Sequence, residues 1–243
     1  MIVAETPGGE LRLTTQPDHA FFAAELLSLW AADGIPVNPR REDLLFATRE
    51  HDNGWREADS APSADRESGR PVDFMGIASA DRLEIWRRGT ERYRSGRPYA
   101  SALILQHAIQ IFAGATDPAG RAFADSLAGA RGELLDASGA DIATLLEDYS
   151  WLNLVDILSL VACGATPKPP ADGRQARFVE DATHPLRGEL ELEPFPLAGA
   201  TTFRVPCRVI PNRCYAGDAD LAGEAATARW QEFSLRVGPF GCS

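Results

Sequence analysis

Apolar residues recur at helical spacing along the first two thirds of the chain. In QPDHAFFAAELLSLWAA, Phe21, Phe22, Leu26, Leu29 and Trp30 form a broad stripe behind Pro17, which suits a first helical turn. NPRREDLLFATREHD opens the same way, with Asn38 as cap and Pro39 as first helical residue. The same period predicts helices over about 80–95, 98–113, 118–137 and 140–162, with Gly164 where a C-cap belongs. Ahead of them, MIVAE and LRLTT flank Pro-Gly-Gly, the turn chemistry of a short hairpin. Past a Pro-rich connector, TPKPPADGR, the period shortens to two. LRGELELEPF, TTFRVPCRVI and WQEFSLRVG alternate as strands do, and DADLAGEAATARW reads as a short helix between the last two. Residues 53–78, rich in Gly, Pro, Ser and charge, read as one long loop, a length that is usually functional or mobile. The pattern predicts a mainly α fold: a bundle of five to seven helices over 1–165, opened by the hairpin, and a small β-rich segment over 166–243. Its strands can pair with the hairpin and so join the same domain.

Composition narrows the function classes. A chain of 243 residues with 44% hydrophobic and 24% charged positions is long enough for one substantial core and has the balance of a soluble globular protein. A net charge of −11 and a pI near 4.9 oppose general attraction to nucleic acid or an anionic membrane. Cys163, Cys207, Cys214 and Cys242 show no Cys-x-x-Cys spacing, so a zinc ribbon or redox pair is unsupported. The opening residues lack the basic start and apolar run of a signal peptide, and no stretch reaches the length of a membrane span. A cytoplasmic location with reduced thiols is the expectation.

The chemistry concentrates in a few positions. Of four histidines, His19, His51 and His107 fall in otherwise apolar helical segments, while His184 sits in a polar stretch beside the connector. His51 is followed directly by Asp52, and Asp156 interrupts the apolar run LNLVDILSL. A carboxylate among Leu154, Val155, Ile157, Leu158 and Leu160 is costly unless paired, hydrogen-bonded or bound to a cation. Imidazole nitrogens and carboxylate oxygens suit zinc, iron or manganese, and such ligands can come from different helices meeting in a core. Each position also has a plainer reading: a core histidine with a hydrogen bond, or an aspartate paired with an arginine. Trp55, Trp86 and Trp151 read as packing anchors, Cys163 as a small buried hydrophobe, and Asp18 as a favourable acid in a first helical turn. In the polar loop, Asp73 of GRPVDF is a candidate for supporting a ligand or touching substrate, and Arg70, three residues earlier, for meeting an anion.

Two resemblances add to this reading. TTQPDHA, EHDNGW, GRPVDF, LILQHA and LVDILSLVACG, in that order, resemble an uncharacterised bacterial family classed only as a domain of unknown function. The order His19, His51-Asp52, Asp156 resembles the ligand pattern of the HD superfamily, and HDNGW is similar to the His-Asp-x-Gly segment of its cyclic-dinucleotide phosphodiesterase branch. The second resemblance implies an HD-domain-like helical bundle holding one or two divalent ions (Mn, Fe, Zn or Mg). It implies His19, His51, Asp52 and Asp156 as ligands, with His107 on a second ion, and Asp52 and His107 in the chemistry. The implied activity is hydrolysis of a small phosphoester or nucleotide by metal-activated water, with Arg70, Asp73 and Trp55 near an anionic substrate. A di-iron oxygenase, or a non-catalytic small-molecule-binding or interaction domain, is the alternative. Two features depart from the pattern: binuclear members supply two further histidines where this chain has only His107, and the Gly-Tyr-Pro motif of the phosphodiesterase branch is absent. A second ion would therefore need Asp73, Glu50 or water.

Overall fold

A computed structural model describes residues 1–32, 35–165 and 173–241. The opening hairpin forms as β1 (Ile2–Glu5) and β2 (Leu11–Thr14). Helices follow: α1 (Gln16–Ser28), α2 (Arg41–Glu50), the short α3 (Arg56–Ser60), α4 (Ser79–Glu91), α5 (Pro98–Phe112), α6 (Pro118–Ser138) and α7 (Ile142–Ala162). Then come β3 (Gln175–Glu180), β4 (Arg187–Glu193), β5 (Thr201–Ile210), α8 (Asp218–Thr227) and β6 (Trp230–Pro239).

The expectation of a mainly α, HD-domain-like helical bundle with only a short hairpin and a small β-rich C-terminal segment is corrected here. The six strands make one curled sheet in the order β1-β2-β5-β6-β4-β3, and about 50% helix is set against 19% strand. The hairpin joins the C-terminal strands where Leu11 pairs with Ile210 and Leu13 with Arg208. Among the described residues only β4 and β6 run parallel; the other pairs are antiparallel. Strand β3, QARFVE, is absent from the expectation because it is an edge strand whose residues alternate between exposed and half-buried, leaving too little apolar content to mark a strand. The connector expected over 166–174 lies, apart from its last two residues, outside the described residues, as does Cys242.

One apolar core runs through helices and sheet, so the segment after 165 packs on the helices. It contains Phe22, Leu26 and Leu27 of α1, Leu152, Val155 and Leu158 of α7, and Leu190, Phe203, Val205, Phe233 and Leu235 of the sheet. Phe22 and Phe203 meet edge to face at 5.2 Å. The sheet thus backs α1 and α7, the helices that carry His19 and Asp156. Arg12, buried in β2, spans the sheet, donating to Glu180 of β3 at 2.9 Å and lying 3.9 Å above the Phe233 ring of β6, and its Nη2 reaches Cys163 O just past α7 at 3.5 Å.

Two local expectations shift. Asn38 does not cap α2; it folds over the turn before it, its Oδ1 accepting from the Arg40 N–H at 2.7 Å, and the helix starts at Arg41. Residues 53–78 are not a featureless loop: they hold a 3-10 turn at Asn53–Trp55, α3, a bridge between Ala64 and Pro71, and a second 3-10 turn at Phe74–Gly76.

Candidate metal centre

Four helical segments converge on one buried polar spot. Thr15 caps α1 by accepting the Asp18 N–H at 3.1 Å, which starts the helix in the register that turns His19 inward beside Phe22 and Ala23. Asp156 and Ser159, three apart on α7, share a face, and Tyr149 lies two turns earlier on it. His107 reaches in from α5. His51 keeps helical angles at the end of α2, but Asp52 leaves them, with φ −102° and ψ 19°. That departure is how two adjacent side chains address one point. It is held by Asn53, whose Nδ2 donates to Glu50 O at 2.7 Å and Gly89 O at 3.1 Å. Gly54 serves contact more than turning: a Cβ there would lie 2.1 Å from the Ile85 carbonyl oxygen of α4.

The donor atoms are close. His19 Nε2 lies 2.9 Å from Asp52 Oδ2, His51 Nε2 3.1 Å from Asp156 Oδ1 and 3.7 Å from Asp52 Oδ2, and His107 Nε2 4.0 Å from Asp156 Oδ2. Ligands bonded at 2.0–2.2 Å around one ion stand roughly 3–4 Å apart, so the spacing fits a shared cation. His19, His51 and Asp156 form one triad with metal-binding spacing, and His51, Asp52 and His107 another, all five residues buried.

An outer partner fixes the tautomer of His51: its Nδ1 meets the Thr48 carbonyl at 2.7 Å, and a carbonyl only accepts, so Nδ1 carries the proton. Ser159 Oγ lies 2.8 Å from both Asp156 O and His19 Nδ1 and so holds the His19 ring in place. His107 Nδ1 faces Tyr149 OH at 3.2 Å. In neutral His51 a lone pair on Nε2 then faces the Asp156 carboxylate, acceptor against acceptor, unless a positive charge lies between them. A proton or a metal ion supplies it, and metal-ligating histidines characteristically donate their other ring N–H to a carbonyl in this way.

Electrostatics agree with that need. Burial pushes His51 down, but Asp52, Asp156 and the hydrogen bonds overcome it and raise the imidazole to about 9. Burial pushes Asp156 up, but His51, His107 and His19 hold its carboxyl well below the usual range. In Asp52 too, burial is outweighed by His51 and His19, and the net shift is downward. Burial and the neighbouring His51 lower His107 to about 4, which keeps its imidazole neutral.

The centre opens into a cleft of about 100 Å³ whose lining includes Asp52, Asp156 and His107 together with Gln16, Trp55 and Arg82. Trp55 is therefore brought to the site. Arg70 is exposed in the 65–70 turn and does not line this cleft, and Asp73 caps the Phe74–Gly76 turn while accepting the Val3 N–H at 3.0 Å. Glu50 is engaged by Arg49, Arg56 and Tyr93. Gln16, Arg82 and the outer partners Thr48, Ser159 and Tyr149 carried no signal in the sequence beyond their residue type. Cys163 is buried, as expected, and burial raises its thiol to about 12.

Fold and site together define a class: an α+β protein in which a curled mixed sheet backs helices that gather histidines and aspartates into a candidate metal centre. The chain belongs to the family described as Protein of unknown function (DUF3891), whose model matches residues 1–212. Comparison with curated proteins and with solved structures gives no match in either set. No helix among the described residues is long and apolar enough to cross a membrane.

Proposed function

We propose that this protein is a metal-dependent phosphohydrolase of the HD type, acting on a small phosphoester in the cytoplasm. The observation that carries the reading is the proton count at His51, whose Nδ1–H is committed to Thr48 while Nε2 faces Asp156, with His19 Nε2 facing Asp52 beside it. The order of ligands along the chain and their placement on helices are the points of similarity to the HD superfamily.

In this reading His19, His51, Asp52 and Asp156 hold a divalent ion. Such an ion polarises a phosphoryl oxygen and brings a bound water towards a pKa of about 7. The Asp52 carboxylate takes a proton from the attacking water, and neutral His107 orients the substrate or water through Nε2. Trp55, Trp86 and Phe74 keep bulk solvent from the cleft. One ion is better supported than two. With Nδ1 committed to Thr48, His51 offers a single nitrogen to both triads, and Glu50 and Asp73 are occupied. That count weakens the di-iron oxygenase alternative.

The test is metal analysis of the untagged protein, followed by phosphoester turnover with Mn²⁺, Fe²⁺ or Zn²⁺. Turnover that Asp52→Ala abolishes is the expected result. A protein with no bound metal and no affinity for any of the three ions refutes the reading.

A further inference from the structure

Gln16 is the first residue of α1, and its backbone N–H donates to Asp59 Oδ2 at 2.6 Å. Its side chain is only 1% exposed and lines the cleft at the metal centre, yet its Nε2 has no hydrogen-bond partner. Buried amide donors are almost always satisfied, so an unpaired one beside a candidate centre points to an acceptor that arrives with a ligand. Arg82 lines the same cleft. One of its nitrogens braces the turn above the site through Met75 O at 3.2 Å and Ile77 O at 3.3 Å. Guanidinium suits an oxyanion, and Arg82 forms no ion pair among the described residues.

The rest of the wall is apolar: Trp55, Phe74, Met75, Trp86, Ile111 and Leu160. Its volume of about 100 Å³ falls well below the roughly 300–1,000 Å³ of ordinary ligand pockets. A nucleotide, with a polar sugar and base, matches neither the size nor the lining.

Resting on the hydrolase reading above, we infer that the cleft takes a small aryl or short-chain alkyl phosphomonoester. Gln16 Nε2 donates to a phosphoryl oxygen, Arg82 neutralises the anion, and the organic group lies against the apolar wall. The reaction breaks the ester P–O bond and forms one to the water oxygen. A water proton passes to the leaving alcohol, inorganic phosphate is the other product, and no redox partner is needed.

The probe is phenylphosphonate, which cannot be hydrolysed, titrated calorimetrically into the Mn²⁺-loaded full chain and into the metal-stripped chain. In the loaded chain it binds at least about tenfold more tightly than adenosine monophosphate or inorganic phosphate. Gln16→Leu weakens it about tenfold, the worth of one hydrogen bond to a charged group, with metal content and Tm unchanged. Gln16→Met, which also lacks the amide, carries the same test if the leucine variant is unstable, and Arg82→Gln weakens binding as well. Unaltered affinity in a folded Gln16 variant overturns the assignment of Gln16, and equal binding of adenosine monophosphate overturns the size class. Metal analysis separates the two levels. A chain that holds no metal but binds phenylphosphonate through Gln16 keeps the cleft and sinks the hydrolase; one that binds neither sinks both.

Discussion

Helix α7 buries two aspartates, Asp148 at 3% exposure and Asp156 at 7%, and the protein completes them in opposite ways. Asp148 is met by neutral donors that bring their own protons: Tyr99 OH at 2.6 Å and Asn38 Nδ2 at 2.5 Å. The Asn38 amide is held the right way round because its Oδ1 already accepts from Arg40. Asp156 is met instead by His51 Nε2, on a ring whose fixed proton is donated to Thr48. A buried carboxylate is therefore not in itself a site. What separates the two is whether the surrounding groups bring donor protons of their own or leave a place for a positive charge.

The largest effect that tests this contrast comes from neutralising each acid. Asp156→Asn lowers Mn²⁺ or Zn²⁺ affinity by on the order of a hundredfold or more, because a lost ligand exceeds the usual loss from an outer partner. It also lowers the stability of the metal-free protein, because His51 loses a carboxylate that holds its extra proton. Asp148→Asn costs about 2–3 kcal/mol of folding stability through its mismatched donors but leaves metal binding intact. Metal titration and denaturant unfolding on both variants check this, and equal loss of metal affinity would erase the distinction.

The next test uses pH on metal-stripped protein. His51 is raised from 6.5 to about 9, so its contribution is fully present below about 6.5 and is lost as pH rises through about 9. Asp52 and Asp156 are lowered, so theirs is present above the ordinary carboxylate range and is lost as pH falls. His107, lowered to about 4, also disfavours the fold below 6.5, because the unfolded chain then binds its proton more readily. The stripped protein accordingly loses on the order of 3 kcal/mol between pH 6.5 and the far side of 9. His51→Gln flattens that alkaline arm. Metal loading flattens it too and releases about one proton at pH 7, which calorimetry in buffers of different ionisation enthalpy detects. An alkaline arm that survives His51→Gln would place the titration elsewhere.

This contrast also shows what a sequence can disclose. His19, His51, Asp52, His107 and Asp156 stand out in the chain because polar, ionisable residues interrupt apolar helical runs, and the structure does bring those five together. Asp148 is as deeply buried but sits among polar neighbours in LLEDYS, so nothing marked it. Arg70 drew attention as an arginine in a polar loop, whereas Arg82, on the first turn of α4, is the one at the cleft; loop position says nothing about which way the chain returns. Gln16 was invisible because its significance is an unmet hydrogen bond, a property of its surroundings. The helix positions and the strands β4–β6 followed from periodicity, while their union with the hairpin in one sheet depended on long-range pairing that local pattern only permits.

The smallest test removes one hydroxyl from each side. Ser159→Ala takes away the hydroxyl that meets His19 Nδ1 and leaves the ring free to turn beside Asp52. The ligand remains, but its lone pair no longer has a fixed direction, so metal affinity falls about tenfold, at the lower end of outer-partner effects. Tyr99→Phe takes a donor from Asp148 and lowers stability by about 1–2 kcal/mol, with no change in metal affinity, because no ligand depends on it. The informative quantity is the crossing of the two effects, read from metal titrations and unfolding curves side by side. If Ser159→Ala lowers stability and spares the metal, the serine is only packing and does not orient His19.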